Sequence, residues 1–177
     1  MSGPRRARSA VILARLCWCA AGSAFGLGLV LRLVDPPDGP LFLASLGGST
    51  VFLFGLTRAP AAQPRALFGG HLGGAMIGAL CFQFLGNSIW AYLVAIVLTL
   101  AFMLLTGTVH PPAGANPLIM IHAGAGLTAV ASTVLVSVAV LAGVAVIWSR
   151  LFPGMIRYPT NWAERSPPSV LWGGWDS

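Results

Sequence analysis

The sequence predicts an all-α membrane protein, a polytopic helical bundle with four full transmembrane helices and two discontinuous segments. The first observation is composition: of 177 residues, 56% are hydrophobic and only 8% are charged, and the mean hydropathy is +0.84. A water-soluble domain needs more charge than this to cover its surface. The second observation is that arginines flank the apolar runs. The third is that glycine or proline interrupts two apolar segments.

Four apolar runs are long enough to cross a bilayer, which takes about 20 residues. They are residues 10–34, 66–85, 89–106 and 125–148. The first begins like a signal peptide, but Arg15 interrupts it and it runs on beyond the usual length, so a retained span is predicted. Loops or turns separate the runs at residues 35–40, 57–65 and 86–88.

The first discontinuous segment, residues 41–56, is divided by Gly47, Gly48 and Ser49. It follows one full span and precedes another, yet it is short for a span. A helix is predicted to start within it, capped by Ser49 or Thr50, because a hydroxyl side chain can accept from the unpaired N–H groups of a first helical turn.

The second discontinuous segment, residues 105–124, contains Pro111 and Pro112. Each lacks a backbone N–H and displaces the preceding residue from the helical region. The chain is therefore predicted to be extended from His110 and to restart as a helix at Asn116, a favoured N-cap residue. An extended half followed by a helical half is long enough to cross the roughly 30 Å hydrocarbon core.

The two discontinuous segments occupy matching places, and residues 47–53 align with residues 113–119. Paired interruptions of this kind are typical of transporters built from inverted repeats, here two halves of three crossings. With six crossings, nine of the 10 basic residues lie on one side and Arg32 alone lies on the other. If both segments are instead re-entrant, there are four crossings and the division is seven against three. The positive-inside rule favours six crossings, with both termini in the cytoplasm.

The predicted binding site lies where the amide-rich ends of the two short helices meet near the bilayer midplane. Unpaired N–H groups at the positive end of a helix dipole suit a small anion. No span holds a carboxylate, which a cation pathway would require. The predicted substrate-contacting residues of the two segments are Gly47, Gly48, Ser49, Thr50, Pro111, Pro112, Gly114, Ala115 and Asn116.

Two histidines adjoin the interruptions, and two polar residues precede the second full span. His71 and His110 are predicted to line the path, because imidazole can hold an anion or relay a proton near neutral pH; a packing role is the alternative. Gln63 and Arg65 are predicted to gather anions at the cytoplasmic mouth, unless Arg65 only anchors the topology. The histidines and cysteines lack metal-ligand spacing, so no metal or cofactor is predicted. No nucleophile with its base is apparent, so no enzyme is predicted.

Two glycine stripes predict close helix packing. Gly70, Gly74 and Gly78 form one, and Gly22 and Gly26 form the other. Spacing of four residues lets helices approach closely within the bundle, or alternatively between subunits of a homo-oligomer. The arginines flank apolar runs and form no patch, so the predicted partners are the lipid bilayer and a small inorganic anion, without nucleic acid.

The interrupted segments also carry a family resemblance. "TGTVHPPAGANPL", residues 106–118, resembles the signature of the HPP family of integral membrane proteins, in which His110, Pro111 and Pro112 supply the motif. "AQPR" and "GGH", residues 62–65 and 69–71, resemble the other well-marked region of that family. The family is usually described as four-span transporters, and its plant plastid members are linked to nitrite transport. The resemblance implies a small-anion substrate, with nitrite the first candidate.

The sequence thus predicts a transporter or channel for a small monovalent anion, in the inner (plasma) membrane. A transmembrane domain is predicted over residues 1–150. A short cytoplasmic tail, interfacial or disordered, is predicted over residues 151–177, with Trp162, Trp172 and Trp175 in it. The alternative function is a non-transporting membrane scaffold or accessory subunit in which the His-Pro-Pro segment is structural.

Overall fold

A computed structural model describes residues 3–169, with side chains from Arg8 onward, and this part of the chain is helical with no strand. Its α-helices are α1 (Gly3–Leu33), α2 (Ala44–Thr50), α3 (Pro64–Leu85), α4 (Ile89–Thr106), α5 (Asn116–His122), α6 (Leu127–Ala129) and α7 (Val136–Leu151). Three 3₁₀ turns precede α2, α3 and α5: Pro40–Leu43, Pro60–Ala62 and Pro111–Ala115. π-helical turns follow α2 and α6: Val51–Gly55 and Val130–Leu135.

Four helices of the described chain are long and apolar enough to cross a membrane. They are Arg8–Leu33, Pro64–Leu85, Ile89–Thr106 and Leu127–Leu151, the last of which joins α6, the π turn and α7. These are the four full spans that the sequence predicts. The all-α polytopic membrane class is confirmed.

The boundaries of these spans follow from local chemistry. In α4, the Ser88 side chain accepts from the backbone N–H of Ala91 at 3.2 Å, which satisfies one N–H of the first turn. The helix ends at Gly107, which has φ 63°, a left-handed conformation that glycine adopts at little cost. The buried face of α4 is narrow and carries mostly small side chains. Its large apolar side chains face outward, as lipid contact requires, among them Leu93, Val97 and Leu100.

The six segments run between two ends of the bundle. At the tail end, Arg15 donates to the carbonyl of Gly154, and Arg65 donates to the carbonyl of Thr106. At the far end, His122 lies 3.9 Å from Asp38. Among the described arginines, Arg32 alone lies at the far end, close to the end of α1. The six segments therefore alternate in direction between these two ends, as two inverted halves require; whether the two interrupted segments cross the membrane, and which side each end faces, stays a prediction.

The two halves are packed in a related way. Each half consists of a long span, a short interrupted segment and a second long span. α1 packs against α7, α4 packs against α3, and the two interrupted segments pack against each other. Exchanging the halves leaves these contacts in place, as expected of an inverted repeat.

The glycine stripe of α3 makes room for the second interrupted segment. A Cβ added to Gly70 would lie 3.0 Å from His110 Cβ, and one added to Gly78 would lie 2.5 Å from the Cα of Pro117. On α1, a Cβ at Gly22 would lie 2.6 Å from Trp148 Nε1. The stripes are therefore filled by side chains and backbone of the same chain, while the homo-oligomer stays a prediction.

We expect Gly78→Ala to destabilise the protein, because its methyl group would meet the Pro117 backbone, which cannot move as a flexible side chain can. Overpacking of this kind costs about 1–3 kcal/mol. Gly143→Ala is the matched control, since an added Cβ there meets nothing within 4 Å. Thermal unfolding in detergent measures both. A Gly78→Ala melting temperature equal to that of Gly143→Ala would contradict the packing described.

Two predicted features of the interrupted segments are wrong. No turn or helix start occurs at Gly47 and Gly48, because α2 runs through them from Ala44. The chain is not extended after His110, because a 3₁₀ turn begins at Pro111 and leads directly into α5. The 12 residues of this turn and α5 rise about 20 Å, at roughly 2.0 Å per residue in the 3₁₀ turn and 1.5 Å in α5. This is less than the roughly 30 Å of the hydrocarbon core.

The part of the tail that the structure describes is attached to the tail end. Ser166 is fully buried, and Tyr158 is 1% exposed. The backbone N–H of Ser166 donates to Gly107 O at 2.9 Å, and Val109 donates to Ser166 O at 2.7 Å. Burial raises the pKa of Tyr158, so its phenol stays protonated. Trp162 is exposed, and Trp172 and Trp175 lie outside the described residues.

Candidate functional site

Four polar side chains meet in the interior of the bundle, between the two interrupted segments. They are Ser49 near the end of α2, His71 on α3, His110 before the third 3₁₀ turn, and Asn116 at the start of α5. Ser49, His71 and His110 are 0% exposed and Asn116 is 4% exposed. We call them the histidine cluster. Polar groups buried this completely in a membrane protein are costly and usually functional.

Ser49 lies at the centre of the histidine cluster. Its Oγ is 2.8 Å from His71 Nε2 and 2.8 Å from His110 Nε2. It is also 3.1 Å from the carbonyl oxygen of Ser45, one helical turn earlier. The two imidazole ring centroids are 5.0 Å apart. A single hydroxyl therefore bridges both rings and has a third, backbone partner.

The carbonyl of Ala61 fixes the tautomer of His110. His110 Nδ1 lies 2.6 Å from Ala61 O, and a carbonyl oxygen only accepts, so Nδ1 carries the proton. In a neutral imidazole the other ring nitrogen is then an acceptor. His110 Nε2 consequently accepts from the Ser49 hydroxyl.

Asn116 fixes the opposite tautomer of His71. Asn116 Nδ2 lies 2.9 Å from the backbone carbonyl of His71, which identifies this atom as the amide nitrogen because a carbonyl requires a donor. The same Nδ2 lies 2.9 Å from His71 Nδ1, which must therefore accept. In neutral His71 the proton is on Nε2 and is donated to Ser49.

The histidine cluster is thus one directed chain of hydrogen bonds. Asn116 donates to His71, His71 donates to Ser49, Ser49 donates to His110, and His110 donates to Ala61 O. Every ring nitrogen has a partner while both imidazoles are neutral. Such a chain conveys a change of protonation at one ring to the other through a single hydroxyl.

We expect the two histidines to be opposite tautomers at neutral pH, Nε2–H for His71 and Nδ1–H for His110. Solid-state NMR of protein labelled with ¹⁵N-histidine in lipid would resolve the ring nitrogens, with His71→Phe and His110→Phe variants used for assignment. Identical tautomers for both residues would contradict the hydrogen-bond directions given above.

Close backbone approach positions His110 beside α3. Gly70 allows this approach because it has no side chain. A Cβ added to Gly70 would lie only 3.0 Å from the Cβ of His110. Ser166 fixes the residue before His110, because its hydroxyl donates to Val109 O at 2.7 Å. The Phe52 ring lies 5.4 Å from the His110 ring on the other side. His110 is therefore held by α3, the tail and the π turn.

Gln63 is buried between the loop and the tail, and does not lie at the predicted cytoplasmic mouth of an anion path. Its side chain is 0% exposed. Nε2 donates to the carbonyls of Thr57 and Ala59 at 2.9 and 3.2 Å, and Oε1 accepts from the N–H groups of Thr160 and Asn161 at 3.0 and 3.2 Å. All four bonds join backbone groups of the loop and the tail. Gln63 has no free polar atom to offer an anion.

The structure brings some predicted site residues together and separates others. Ser49, His71, His110 and Asn116 form the histidine cluster. The Thr50 hydroxyl donates to Gly47 O within α2 at 2.8 Å. Arg65 is exposed and bonded to Thr106 at the tail end. The other predicted contacts lie along the packed segments without a hydrogen bond to the cluster: Gly47, Gly48, Pro111, Pro112, Gly114 and Ala115.

The predicted pair of facing helix starts is wrong. The first interrupted segment begins at Pro40, after Gly39, at the far end of the bundle. The second begins at Pro111, but Pro111 and Pro112 have no N–H, and Ala113 donates its own N–H to His110 O at 2.9 Å. Few amides are left for an anion. Asn116 caps no helix, and its amide binds His71 instead.

Residues missed at the level of sequence include Ser45 and Ala61, which take part through backbone carbonyls. Such groups carry no side-chain signal, so the sequence offers none. Gly70 did carry a signal, since it belongs to the glycine stripe of α3 and directly precedes His71.

Two open grooves lie at the ends of the bundle. The groove at the tail end has a volume of about 420 Å³ and is lined by Arg15, Arg58 and Ala59 among others. Ala59 is two residues from Ala61, the carbonyl partner of His110. The groove at the far end has a volume of about 320 Å³, with Asp38 and His122 in its wall. The tail-end groove is therefore the basic one.

The fold and the histidine cluster define a polytopic α-helical membrane protein with a buried polar site between two interrupted segments. Residues 8–159 match the family described as HPP, transmembrane region. The chain belongs to this family, so the resemblance noted in the sequence is confirmed.

Two transmembrane proteins of Dictyostelium discoideum are similar to this chain. One is 31% identical over 118 residues, which cover 62% of this chain and 41% of the relative. The other is 35% identical over 118 residues, covering 62% and 38%. The chain spans about two fifths of the length of these relatives. No solved structure matches it significantly.

Proposed function

We propose that this protein carries a small monovalent anion across its membrane, with nitrite as the first candidate. The observation that carries the proposal is the histidine cluster, a buried polar site formed by the two interrupted segments and α3. Irregular segments and buried polar side chains at membrane depth are typical of transport sites. The protein is proposed not to be an enzyme, since this function makes and breaks no covalent bond in the substrate.

The charge distribution supports an anion. The acidic residues, Asp35, Asp38, Glu164 and Asp176, all lie in loops or the tail by sequence. The buried cluster can become positive through its imidazoles, and no carboxylate in the spans would neutralise it. The basic groove at the tail end, with Arg15 and Arg58, raises the local concentration of anions. Nitrite in particular is suggested by the resemblance to plastid members of the family.

Anion flux in proteoliposomes tests the proposal. Purified protein is reconstituted and uptake of nitrite, nitrate and chloride is compared with uptake by protein-free vesicles. Neutral nitrous acid crosses lipid unaided, so the protein-free rate is the baseline for nitrite, and nitrate is the cleaner probe. Saturable uptake of at least one anion above baseline is the expected result. Uptake of every anion at the baseline rate would refute anion transport.

A non-transporting scaffold is the second candidate, and one observation favours it. Each ring nitrogen of the histidine cluster already has a partner within the protein, which a purely structural cluster would also show. A scaffold requires the cluster for stability alone. Its prediction therefore differs from that of a transporter in variants that stay folded.

A further inference from the structure

We propose that the histidine cluster carries one proton together with each anion, with His110 as the proton site and Ser49 as the group that accommodates the proton. This inference rests on the proposed anion transport and adds the coupling ion. It makes the transport electroneutral.

Ser49 has two alternative acceptors, and this is the basis of the inference. In the neutral cluster its O–H points to His110 Nε2 at 2.8 Å. When a proton from water binds the lone pair of that Nε2, His110 becomes a donor at both nitrogens. The Ser49 O–H can then rotate to the Ser45 carbonyl, 3.1 Å away. Ser49 Oγ now accepts from both rings, and no heavy atom has to move.

His71 lacks such an alternative. Its acceptor nitrogen, Nδ1, faces the Asn116 amide nitrogen at 2.9 Å. A proton on Nδ1 would oppose that N–H group. If the side-chain amide of Asn116 turned over, its oxygen would face the backbone carbonyl of His71 in place of Nδ2. The hydrogen bond from Nδ2 to that carbonyl would then be lost. The geometry therefore places the proton on His110.

Among the residues that the structure describes, no fixed counter-charge lies beside His110. Its described neighbours are Ser49 and Phe52 from the first interrupted segment, His71 from α3, and the Ala61 carbonyl from the loop before α3. His71 is the only other titratable group among them, and it has the same sign when charged. The 3₁₀ turn that follows His110 presents the positive end of its dipole.

A buried imidazolium without a counter-charge is unfavourable, because its hydration is lost and two neutral hydrogen-bond acceptors replace that hydration only in part. A mobile anion beside the cluster would compensate the charge. Conversely, an anion entering a neutral cluster would itself be uncompensated. Proton and anion therefore stabilise each other in the site and are expected to cross together.

The test measures proton and anion movement in the same vesicles. Proteoliposomes of full-length protein contain a pH-sensitive dye, and an inward gradient of nitrite, or of nitrate if it is transported, is imposed with potassium and valinomycin setting the potential. Beyond the protein-free baseline, we expect one proton to enter with each anion, at a rate that does not follow the imposed potential. Anion uptake without acidification, or uptake that follows the potential, would overturn the coupling and leave anion transport standing. Absence of all uptake would overturn both.

Substitutions at Ser49 test the accommodating hydroxyl. We expect Ser49→Ala to lower proton-coupled uptake by about tenfold or more, because one buried polar partner of each ring is lost. Ser49→Thr, which keeps a hydroxyl able to bond the preceding turn, is expected to restore it. Ser132→Ala is the matched control, since exposed Ser132 makes the same type of bond, to Thr128 O one turn earlier in the last span, outside the histidine cluster. Full coupled uptake by folded Ser49→Ala would refute the role of Ser49.

Discussion

Anion uptake by His110→Ala is expected to fall to the protein-free rate. The substitution removes the proposed proton site and breaks the chain of hydrogen bonds between Ser49 and Ala61 O. It also leaves the buried Ala61 carbonyl without its partner, which lowers the free energy of unfolding by about 2 kcal/mol. Uptake is measured in proteoliposomes, and the fraction of folded protein by size exclusion and thermal unfolding.

His110→Asn separates loss of function from loss of stability. An asparagine amide can occupy the place of Nδ1 and still donate to Ala61 O, so this variant is expected to fold. It has no group at the Nε2 position opposite Ser49, so its uptake is also expected to fall to baseline. A scaffold would instead tolerate His110→Asn.

His122→Ala is the control for removal of a histidine. His122 lies at the far end, where its side chain is 76% exposed and 3.9 Å from Asp38. We expect unchanged stability and uptake, because a contact between two side chains this exposed contributes little. Anion transport through the histidine cluster would be contradicted if His110→Asn and His122→Ala carried anions equally fast.

Replacing Gln63 with alanine is expected to cause the second large effect, a loss of stability of about 3 kcal/mol from its four buried hydrogen bonds. The four backbone groups that Gln63 joins would be left unpaired unless water entered. Gln63→Glu should be at least as damaging, because a carboxylate oxygen would face the carbonyls of Thr57 and Ala59. Thermal and denaturant-induced unfolding in detergent measure both changes.

Gln83→Ala provides the matched control on the same helix. Gln83 is exposed near the end of α3, so its truncation is expected to change stability by no more than about 0.5 kcal/mol. A Gln63→Ala protein as stable as Gln83→Ala would show that the joined loop and tail contribute nothing. It would also return Gln63 to consideration as an anion contact.

The full spans were predictable because lipid imposes a simple rule on them. A helix that crosses hydrocarbon must be long and apolar, and its ends need capping groups such as Ser88 and Gly107. The glycine stripe on α3 was equally predictable from the sequence, since residues four apart lie on the same face of a helix. Arginine placement favours six crossings, and the six segments alternate in direction, while a membrane crossing by the two interrupted segments stays a prediction.

The interruption at Pro111 and Pro112 was located correctly, and the one predicted at Gly47 and Gly48 is absent. The sequence predicts a helix break at Gly47 and Gly48, whereas α2 continues through them. Gly48 makes room for Pro112, whose Cβ would lie 3.0 Å from a Cβ added to Gly48. Glycine in a helix costs only about 1 kcal/mol, so packing overrides it. Asn116 has good capping chemistry, but the 3₁₀ turn already supplies the start of the helix, which frees its amide for His71.

The sequence by itself determined the membrane class, the four full spans, the family and the residues of the histidine cluster. Only the tertiary structure decided how those residues act together. Hydrogen-bond direction depends on which atoms lie within about 3 Å, and the partners here, Ser49, His71, His110 and the Ala61 carbonyl, are far apart along the chain. The close approach of α2, α3 and the 3₁₀ turn brings them into contact, and with them the two tautomers and the second acceptor of Ser49.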